Sequence, residues 1–206
     1  MKNPWEEIAL MDYENHMKLP NIHQIQVLNT MMNDQFYEYP VKSIMILGIA
    51  GGNGLEHINR RIIDKVYGVD LNREYLEECR KRYSYIEDIL ELLCVDLMEK
   101  DVTLPHADLL VANLLLEYIG YECFQNVIKK VQPTYISCGI QVNPEGDFVS
   151  ESPYLHIFDG LETVHTQIEE SSLIRSMEES QYAFILKKEH DLPNGKKLVR
   201  LDFARK

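Results

Sequence analysis

Ser43 to Glu56 reads Ser-Ile-Met-Ile-Leu-Gly-Ile-Ala-Gly-Gly-Asn-Gly-Leu-Glu. The apolar run at 44–47 predicts a short buried strand. Four glycines follow it: Gly48, Gly51, Gly52 and Gly54. The next residues predict a helix with Leu55, Ile58 and Ile62 on one face. A strand, a glycine turn and a helix N-terminus together form a ligand cradle, because glycine places no Cβ between backbone and ligand. A plain β-to-α turn is the alternative, but such a turn seldom needs four glycines.

A second strand, with an acid at its end, follows the glycine turn. Residues 65–70 read Lys-Val-Tyr-Gly-Val-Asp, and Asp70 lies 16 residues after Gly54. A carboxylate at the end of the second strand of a βαβ unit can accept hydrogen bonds from both hydroxyls of a ribose. The two strands and the turns that follow them therefore predict a site for an adenosine ligand.

These motifs resemble those of the class I S-adenosylmethionine-dependent methyltransferases. The family motif is usually acid-x-Gly-x-Gly-x-Gly, followed by an acid at the end of strand two. The matching positions here are Gly48, Ala50, Gly52, Gly54 and Asp70. Gly48 stands where the family often has an acid, and Ala50 stands where it has its first glycine. The missing acid usually orders the loop around the methionine end of the cofactor, so other groups must hold that end.

The resemblance implies S-adenosylmethionine as the cofactor. In the family, an acid after the third strand accepts a hydrogen bond from the adenine amino group, and the next backbone N–H donates to the ring. Residues 89–95 predict the third strand, so Asp96 and Leu97 take these roles by position. A plain helix N-cap is the alternative for Asp96. The full implied cofactor-binding set is Gly48, Ala50, Gly52, Gly54, Asp70, Leu71, Asp96, Leu97, Asn113 and Leu114.

The fourth predicted strand, 107–113, ends at Asn113. Ligands of open parallel sheets lie outside the carboxyl ends of the strands, so Asn113 and Leu114 are expected to line the cofactor pocket. The following sequence lacks the two prolines that methyltransferases acting on nucleobase amino groups carry here. It is more similar to the small-molecule enzymes of the family, which implies a small-molecule methyl acceptor.

Two apolar runs, 181–188 and 196–203, flank Asn194 and Gly195 and predict a β-hairpin. In class I methyltransferases such a hairpin inserts an antiparallel strand beside strand five, whereas dinucleotide-binding Rossmann domains end with a parallel sixth strand. The expected fold is α/β, a Rossmann-like three-layer αβα sandwich. Its seven-stranded, mostly parallel sheet has the order 3-2-1-4-5-7-6, with strand 7 antiparallel. One domain is expected over 1–206, made of a helical cap (1–40), a cofactor-binding half (41–140) and a part with the substrate loop, a helix and the hairpin (141–206).

Two helices are predicted before the first strand, one capped by Asp12 and one over residues 22–37. In the family this region folds over the cofactor and helps to close the substrate pocket. By that resemblance, Tyr13, His16 and Met17 are expected to face the site. Tyr13 and Met17 are four residues apart, so the alternative is that both are core contacts of one amphipathic helix.

Tyr118, next to Glu117 after strand four, is a further substrate candidate. The candidates for a general base are His16, Glu117, His156 and His165. A lone histidine is more often a satisfied surface or core residue than a base, and an ionised oxygen nucleophile needs no base, so the catalytic residue stays open. Residues 141–154, with Pro144 and Gly146, show no periodicity and predict a flexible insertion. The resemblance implies that this insertion is the substrate loop, because the family varies its substrate loop at this place.

Composition narrows the class of protein. The 206 residues carry a net charge of −12, with 45% hydrophobic and 26% charged residues. This composition is typical of a globular domain, and the negative charge argues against a nucleic-acid partner. The four cysteines lack C-x-x-C spacing and no metal-ligand motif occurs, so no metal is expected. The absence of a signal peptide and of an apolar run of membrane-spanning length predicts a cytoplasmic protein without membrane association. The oligomeric state is open.

Two alternatives to a methyltransferase remain. An NAD(P)-dependent Rossmann oxidoreductase would show Gly-x-Gly-x-x-Gly, and the turn Gly-Ile-Ala-Gly-Gly-Asn-Gly breaks that spacing. It would also need more chain for a catalytic domain. A non-catalytic adenosyl-ligand-binding protein stays open because of the missing acid at Gly48.

Overall fold

The computed structural model describes residues 3–143 and 148–206, so Pro144 and Gly146 of the predicted substrate loop lie outside the described residues. The helices are α1 (Leu10–Lys18), α2 (Gln24–Tyr37), α3 (Arg73–Arg82), α4 (Leu116–Val131) and α5 (Glu170–Glu179). The strands are β1 (Ser43–Leu47), β2 (Lys65–Asp70), β3 (Leu90–Cys94), β4 (Leu109–Asn113), β5 (Tyr135–Val142), β6 (Tyr182–Asp191) and β7 (Lys197–Arg205). None of the described helices is long and apolar enough to span a membrane.

The seven strands form one sheet in the order β3-β2-β1-β4-β5-β7-β6, which confirms the predicted fold. β1 pairs in parallel with β2 and β4, while β7 runs antiparallel to β5. The hairpin between β6 and β7 turns at Asn194 and Gly195, where Gly195 has a φ of +80°. This positive φ is the backbone conformation that glycine accepts at low cost. The local turn chemistry of these two residues thus fixes the position of the last two strands.

Alternating residues of β1 pack on opposite faces of the sheet, as a strand buried on both sides requires. Ile44 and Ile46 belong to the core cluster that includes Phe36 of α2. Met45 and Leu47 belong to the cluster that includes residues of α4 and α5. Helices therefore cover both faces of the sheet and make three layers.

The predicted helix after the glycine turn is wrong. Residues 55–64 form only a 3₁₀ turn at Leu55–His57, and Ile62 is 42% exposed instead of sharing a buried face with Leu55. A side chain of α2 forms hydrogen bonds with backbone groups of this segment. The Tyr37 hydroxyl donates to the His57 carbonyl and accepts from the Asn59 N–H at 2.9 Å. These tertiary hydrogen bonds replace those that a helix would have made internally.

The predicted start of the first helix is also corrected. Asp12 is not the N-cap of α1: Ala9 holds that position, and Asp12 lies in the first turn. α4 begins at Leu116 and is interrupted after its first turn at Gly120, which has a φ of +70°. Asn72 caps α3, since its side chain accepts hydrogen bonds from the N–H groups of residues 74 and 75.

Candidate active site

The glycine turn lies at the carboxyl end of β1, held by the neighbouring strand. The N–H of Gly48 donates to the Val69 carbonyl at 2.8 Å, and Gly48 has a φ of +67°. Ala50 also has a positive φ, +48°. Its N–H donates to Oδ2 of Asp70 at 2.9 Å. The acid at the end of β2 is thus in direct contact with the turn that follows β1, as the sequence motifs predict.

Asp70 is the acid that organises this edge of the sheet. Its Oδ1 accepts a hydrogen bond from the Asn72 N–H at 2.9 Å, in addition to the bond from Ala50. Burial raises the pKa of the Asp70 carboxyl, and the hydrogen bonds from the backbone act in the opposite direction. The carboxylate fixes the turn after β1 and the start of α3 in one arrangement.

A cavity of about 590 Å³ opens outside the carboxyl ends of β1 to β4. Its volume is in the range of small-molecule and cofactor sites, roughly 300–1,000 Å³. The predicted cofactor residues that line it are Gly48, Ala50, Asp70, Leu71, Asp96, Leu97, Asn113 and Leu114. Eight positions chosen from sequence therefore converge on one space.

Gly52 and Gly54, the other two predicted cofactor residues, are not among the residues that line the cavity. A Cβ at Gly52 would lie 2.6 Å from the ring of Tyr83, and a Cβ at Gly54 would lie 2.8 Å from Sδ of Met32. Both glycines also have positive φ angles, +88° and +91°. They are required for packing of the turn against α2 and α3, and the prediction that they contact the ligand is not supported.

The charge of the cavity lining is negative. Four carboxylates line it, those of Glu6, Asp70, Asp96 and Glu99. The described part of its wall includes no lysine, arginine or histidine. Such a wall favours a cationic ligand and disfavours the pyrophosphate of a dinucleotide. Asp96 also accepts a hydrogen bond from the Met98 N–H at 2.9 Å, and no helix begins after it, so the N-cap interpretation of Asp96 fails.

Hydrogen bonds from α2 fix the side-chain amide of Asn113 at the cavity. Its amide forms a reciprocal pair with Gln35, each N–H to O distance being 2.9 Å. The next residue, Leu114, has a φ of +53° and donates its N–H to the Gly139 carbonyl at 2.7 Å. A Cβ at Gly139 would lie 2.5 Å from Oδ1 of Asn113, so the absence of a side chain there makes room for this amide.

The N-terminal segment covers the cavity and is tied to α3. Asn72 Nδ2 donates to the Trp5 carbonyl at 3.0 Å, and the Tyr75 hydroxyl donates to the Ile8 carbonyl at 2.8 Å. Glu14 of α1 pairs with Arg82 of α3. These contacts hold residues 5–14 over the carboxyl end of the sheet.

A second, smaller chamber of about 70 Å³ lies beside the cavity, and Trp5, Tyr13, Leu114 and Tyr118 line both spaces. All three predicted substrate residues and three of the four base candidates line this chamber: Tyr13, Met17, Tyr118, His16, Glu117 and His165. Met17 is also a buried core contact of Leu28 and Met31, so both interpretations of Met17 hold.

His156 is not part of either space. Its side chain is 91% exposed and lies 3.5 Å from the Asp159 carboxylate. Phe158 and Leu161 of the 3₁₀ stretch Leu155–Thr163 are buried and line the chamber, whereas His156 lies on the exposed side of this stretch, so the structure gives no support to His156 as a base.

The three remaining base candidates differ in environment. Glu117 is buried, and burial raises its pKa to about 7. His16 is buried, lies 2.8 Å from the Ser152 hydroxyl and has a pKa of about 4, lowered by burial and by the charge of Lys196. The same two causes lower the pKa of His165. Both imidazoles are therefore neutral at neutral pH.

Sequence reasoning missed several lining residues. Trp5 contacts the rings of Tyr13 and Tyr118 edge-on, with centroid distances of 5.6 Å and 4.9 Å. Tyr75 lines the larger cavity from α3. The available signal was the single tryptophan of the chain, placed in a segment that the resemblance assigns to pocket closure. Among the described residues, no cluster of three or more His, Cys, Asp or Glu side chains could hold a metal ion.

No protein-family model matches the chain. It is 26% identical over 162 residues to carboxy-S-adenosyl-L-methionine synthase from Shewanella frigidimarina, covering 76% of this chain and 65% of the relative. The enzyme of the same name from Shewanella loihica is 25% identical over 127 residues, which cover 59% of this chain and 51% of the relative. The chain thus spans less than two thirds of the length of these relatives.

Solved structures resemble the whole fold at low sequence identity. The N-methyltransferase NodS from Bradyrhizobium japonicum, in complex with S-adenosyl-l-homocysteine, has a TM-score of 0.68 at 11% identity over 99% of both chains. Magnesium protoporphyrin IX methyltransferase from Synechocystis, with bound SAM, has a TM-score of 0.64 at 8% identity, covering 95% of this chain and 83% of that one. The [4+2]-cyclase SpnF has a TM-score of 0.65 at 9% identity, covering 87% and 80%. These likenesses confirm the class I methyltransferase fold, and the cyclase shows that this fold alone does not set the reaction.

Proposed function

We propose that this chain, which has the fold of the class I S-adenosylmethionine-dependent methyltransferases, binds S-adenosylmethionine and transfers its methyl group to a small-molecule acceptor. The observation that carries the proposal is the convergence of the Gly48–Ala50 turn, Asp70 and Asp96 on one acidic cavity of about 590 Å³. A sulfonium ligand is cationic, which suits a wall lined by carboxylates.

The residues of the wall fit the parts of this cofactor. Asp96 and Leu97 would hold the adenine ring, and Asp70 and Leu71 would hold the ribose. The Gly48–Ala50 turn and Asn113 would hold the methionine end. When bound, S-adenosylmethionine supplies a methyl group on a good leaving group, so the protein mainly positions the acceptor and excludes water. Trp5, Tyr13 and Tyr118 close the site on the acceptor side, because they line both the cavity and the chamber.

The binding step is tested by calorimetry with S-adenosylmethionine and S-adenosylhomocysteine. Asp96→Ala is expected to weaken binding about tenfold, which corresponds to ~1.4 kcal/mol. Asp101→Ala is the matched control, because Asp101 is exposed in the same loop and does not line the cavity. Equal affinity of the two variants, or absence of binding by the native protein, would contradict the proposal.

The transfer step needs its own experiment. Methyl-labelled S-adenosylmethionine is mixed with the protein and the small-molecule fraction of a cell extract, and labelled products are separated by chromatography. Label is expected to leave the cofactor and enter a small molecule. Binding without transfer would support the alternative of a non-catalytic adenosyl-ligand-binding protein.

A second candidate function is modification of S-adenosylmethionine itself. It is favoured by the relatives named carboxy-S-adenosyl-L-methionine synthase, which align with 76% of this chain. The larger cavity provides no cationic side chain for an added carboxylate among its described lining residues, and we rank this function second for that reason. Mass spectrometry of the same reaction mixture separates the two, since carboxylation leaves a heavier cofactor and methyl transfer leaves S-adenosylhomocysteine.

The compartment that we propose is the cytoplasm. All four cysteines are free, and Cys79 and Cys138 are buried core thiols. Reduced thiols suit a reducing compartment. The net charge of −12 supports a small-molecule partner over a nucleic acid, because it repels phosphate backbones. Fractionation of cells that express the chain tests the location.

A further inference from the structure

We propose that the small chamber binds the amino group of the methyl acceptor, and that Glu117 is the catalytic residue that holds this group and takes its proton. The inference rests on the proposed function and deepens it, because it names the acceptor as an amine. It is carried by the hydrogen bonding of Glu117 and by the chemistry of the chamber wall.

One of the two carboxylate oxygens of Glu117 has no partner among the described residues. The residue lies in the first turn of α4 and is 4% exposed. Its Oε1 accepts a hydrogen bond from the Gln141 N–H at 3.0 Å, whereas its Oε2 is buried without a partner among the described residues. A buried carboxylate oxygen without a donor is costly, and native structures rarely keep one without a use. A ligand that brings an N–H donor to this oxygen would satisfy it.

The wall of the chamber is aromatic. The rings that line it are those of Trp5, Tyr13, Tyr118, Phe148 and Phe158. Aromatic faces attract ammonium groups, most strongly when water is excluded. A ring-lined space with a carboxylate in its wall is suited to an amine and unsuited to an anion. At about 70 Å³ the chamber would take the reacting end of the acceptor and not the whole molecule.

The other ionisable groups around the chamber do not oppose this assignment. His16 and His165 line it, and their pKa values are lowered, so both are neutral at neutral pH. Lys196 lies close enough to both histidines to lower their pKa values. Its Nζ donates to the Phe148 carbonyl at 2.9 Å, and it is not a lining residue. Glu117 is therefore the lining group of the described chamber whose charge changes near neutral pH.

The pKa of Glu117 suits a base. Burial raises it to about 7, while the N–H of Gln141 acts in the opposite direction. A base whose pKa is near the working pH is ionised in a substantial fraction of molecules, and it still binds a proton more tightly than an ordinary carboxylate does. In the step, Oε2 of Glu117 first takes one proton from the bound ammonium group, which frees the nitrogen lone pair. The lone pair forms the new N–C bond to the methyl carbon as the C–S bond breaks and its electron pair stays on sulfur. The product leaves as a methylated ammonium ion, and Glu117 then releases its proton to water.

The experiment measures binding of small probes to the complex with S-adenosylhomocysteine by ligand-observed NMR. The probes are methylamine and ethanolamine, with acetate and pyruvate as anionic counterparts. The amines are expected to bind and the carboxylates are not. Glu117→Gln is expected to weaken amine binding at least tenfold while the affinity for S-adenosylhomocysteine stays within twofold. Glu122→Gln, which changes an exposed acid on the same helix, is expected to leave both unchanged.

A measurement on the native protein guards against a variant that fails to fold. Amine affinity is expected to fall as the pH decreases through about 7, because protonated Glu117 no longer attracts an ammonium group. A flat pH profile, or binding of acetate and pyruvate in place of the amines, would overturn the inference and leave the cofactor assignment intact. Failure of S-adenosylhomocysteine itself to bind would instead overturn the proposed function, and the inference with it.

Discussion

Gly48 shows why a departure from a family motif need not be a defect. The sequence has glycine where related methyltransferases often have an acid, and the structure gives this residue a φ of +67°. The contacts of the turn are supplied by Asp70, which accepts the Ala50 N–H from the neighbouring strand. At the scale of single residues, backbone conformation rather than side-chain chemistry explains the glycine.

Restoring an acid at this position is expected to destabilise the protein. Gly48→Asp forces a non-glycine residue into the left-handed region and places its Cβ 3.3 Å from Leu115, so we expect a loss of about 1–2 kcal/mol in the free energy of unfolding. Gly160→Asp is a matched control, because its Cβ would also meet a side chain at 3.3 Å, that of Pro4, but its φ is not positive. Denaturant unfolding of both variants measures the difference. Equal losses of unfolding free energy in the two variants would show that the close contact of the new Cβ, and not the positive φ, causes the destabilisation.

Glu117 makes stability depend on pH in a defined direction. Its pKa is about 7 in the folded protein against an ordinary value of 4.5, so the folded state binds the proton more tightly. The resulting stabilisation is present at low pH and is lost as the pH rises through about 7. Relative to Glu117→Gln, the native protein is expected to lose about 3 kcal/mol of unfolding free energy between about pH 4 and pH 8.

Parallel urea titrations of the native protein and Glu117→Gln across this pH range measure the effect, and the contribution of His16 cancels in the difference. Glu122→Gln should track the native protein at every pH, because its side chain is exposed. A constant difference between the native protein and Glu117→Gln would mean that Glu117 titrates near its ordinary pKa.

At the scale of elements, the sheet is connected to α2 by a buried polar network below the cavity. Gln35 of α2 bonds Asn113 of β4 and Ser137 of β5, and the Ser137 hydroxyl donates to Asp202 of β7 at 2.5 Å. Asp202 also accepts from Arg200 Nε at 2.9 Å, and both residues are fully buried. These bonds fix the amide of Asn113 at the cavity floor.

Breaking the charged end of this network is expected to be costly. Asp202→Asn leaves the buried guanidinium of Arg200 with the Glu38 carboxylate, 3.7 Å from Nη1, as its remaining counter-ion among the described residues, and loss of one partner of a buried pair costs about 3–5 kcal/mol. Asp191→Asn changes an 83% exposed acid of the same hairpin and is expected to stay within about 0.5 kcal/mol. Thermal or denaturant unfolding compares the two. A loss below about 1 kcal/mol for Asp202→Asn would mean that Arg200 finds other partners.

The same scale shows where sequence patterns fail. The strands and the β6–β7 hairpin were predictable, because apolar runs and the Asn194-Gly195 turn act locally. The segment 55–64 was not, since its shape depends on Asn29 and Tyr37, which lie on α2 far upstream. Hydrophobic periodicity reports the spacing of apolar residues. It does not report hydrogen bonds from side chains of another helix, and these bonds replace the helical ones here.

At the scale of the whole molecule, the cofactor cavity could be predicted from the sequence, whereas the small chamber could not. The cofactor cavity lies where parallel strands end, so positions such as Asp70, Asp96 and Asn113 could be read from strand boundaries. The chamber could not be outlined in this way. Trp5, Glu117 and His165 come from three distant parts of the chain and meet only after the cap and the sheet have packed. Of the base candidates, the three-dimensional arrangement brings His16, Glu117 and His165 into the chamber wall and leaves His156 exposed.

The most direct test of the central claim is an amide-resolved NMR titration of the labelled protein with S-adenosylhomocysteine. The account predicts saturable shifts of the Ala50 and Leu97 amides, which line the cavity, with little change at Ala204, which pairs with Tyr135 at the opposite end of β5. NADH at the same concentration should leave the chemical shifts of the Ala50 and Leu97 amides unchanged, because the carboxylates of the cavity wall repel its pyrophosphate. Unmoved Ala50 and Leu97 amides at saturating S-adenosylhomocysteine, or shifts that appear only with NADH, would contradict the account.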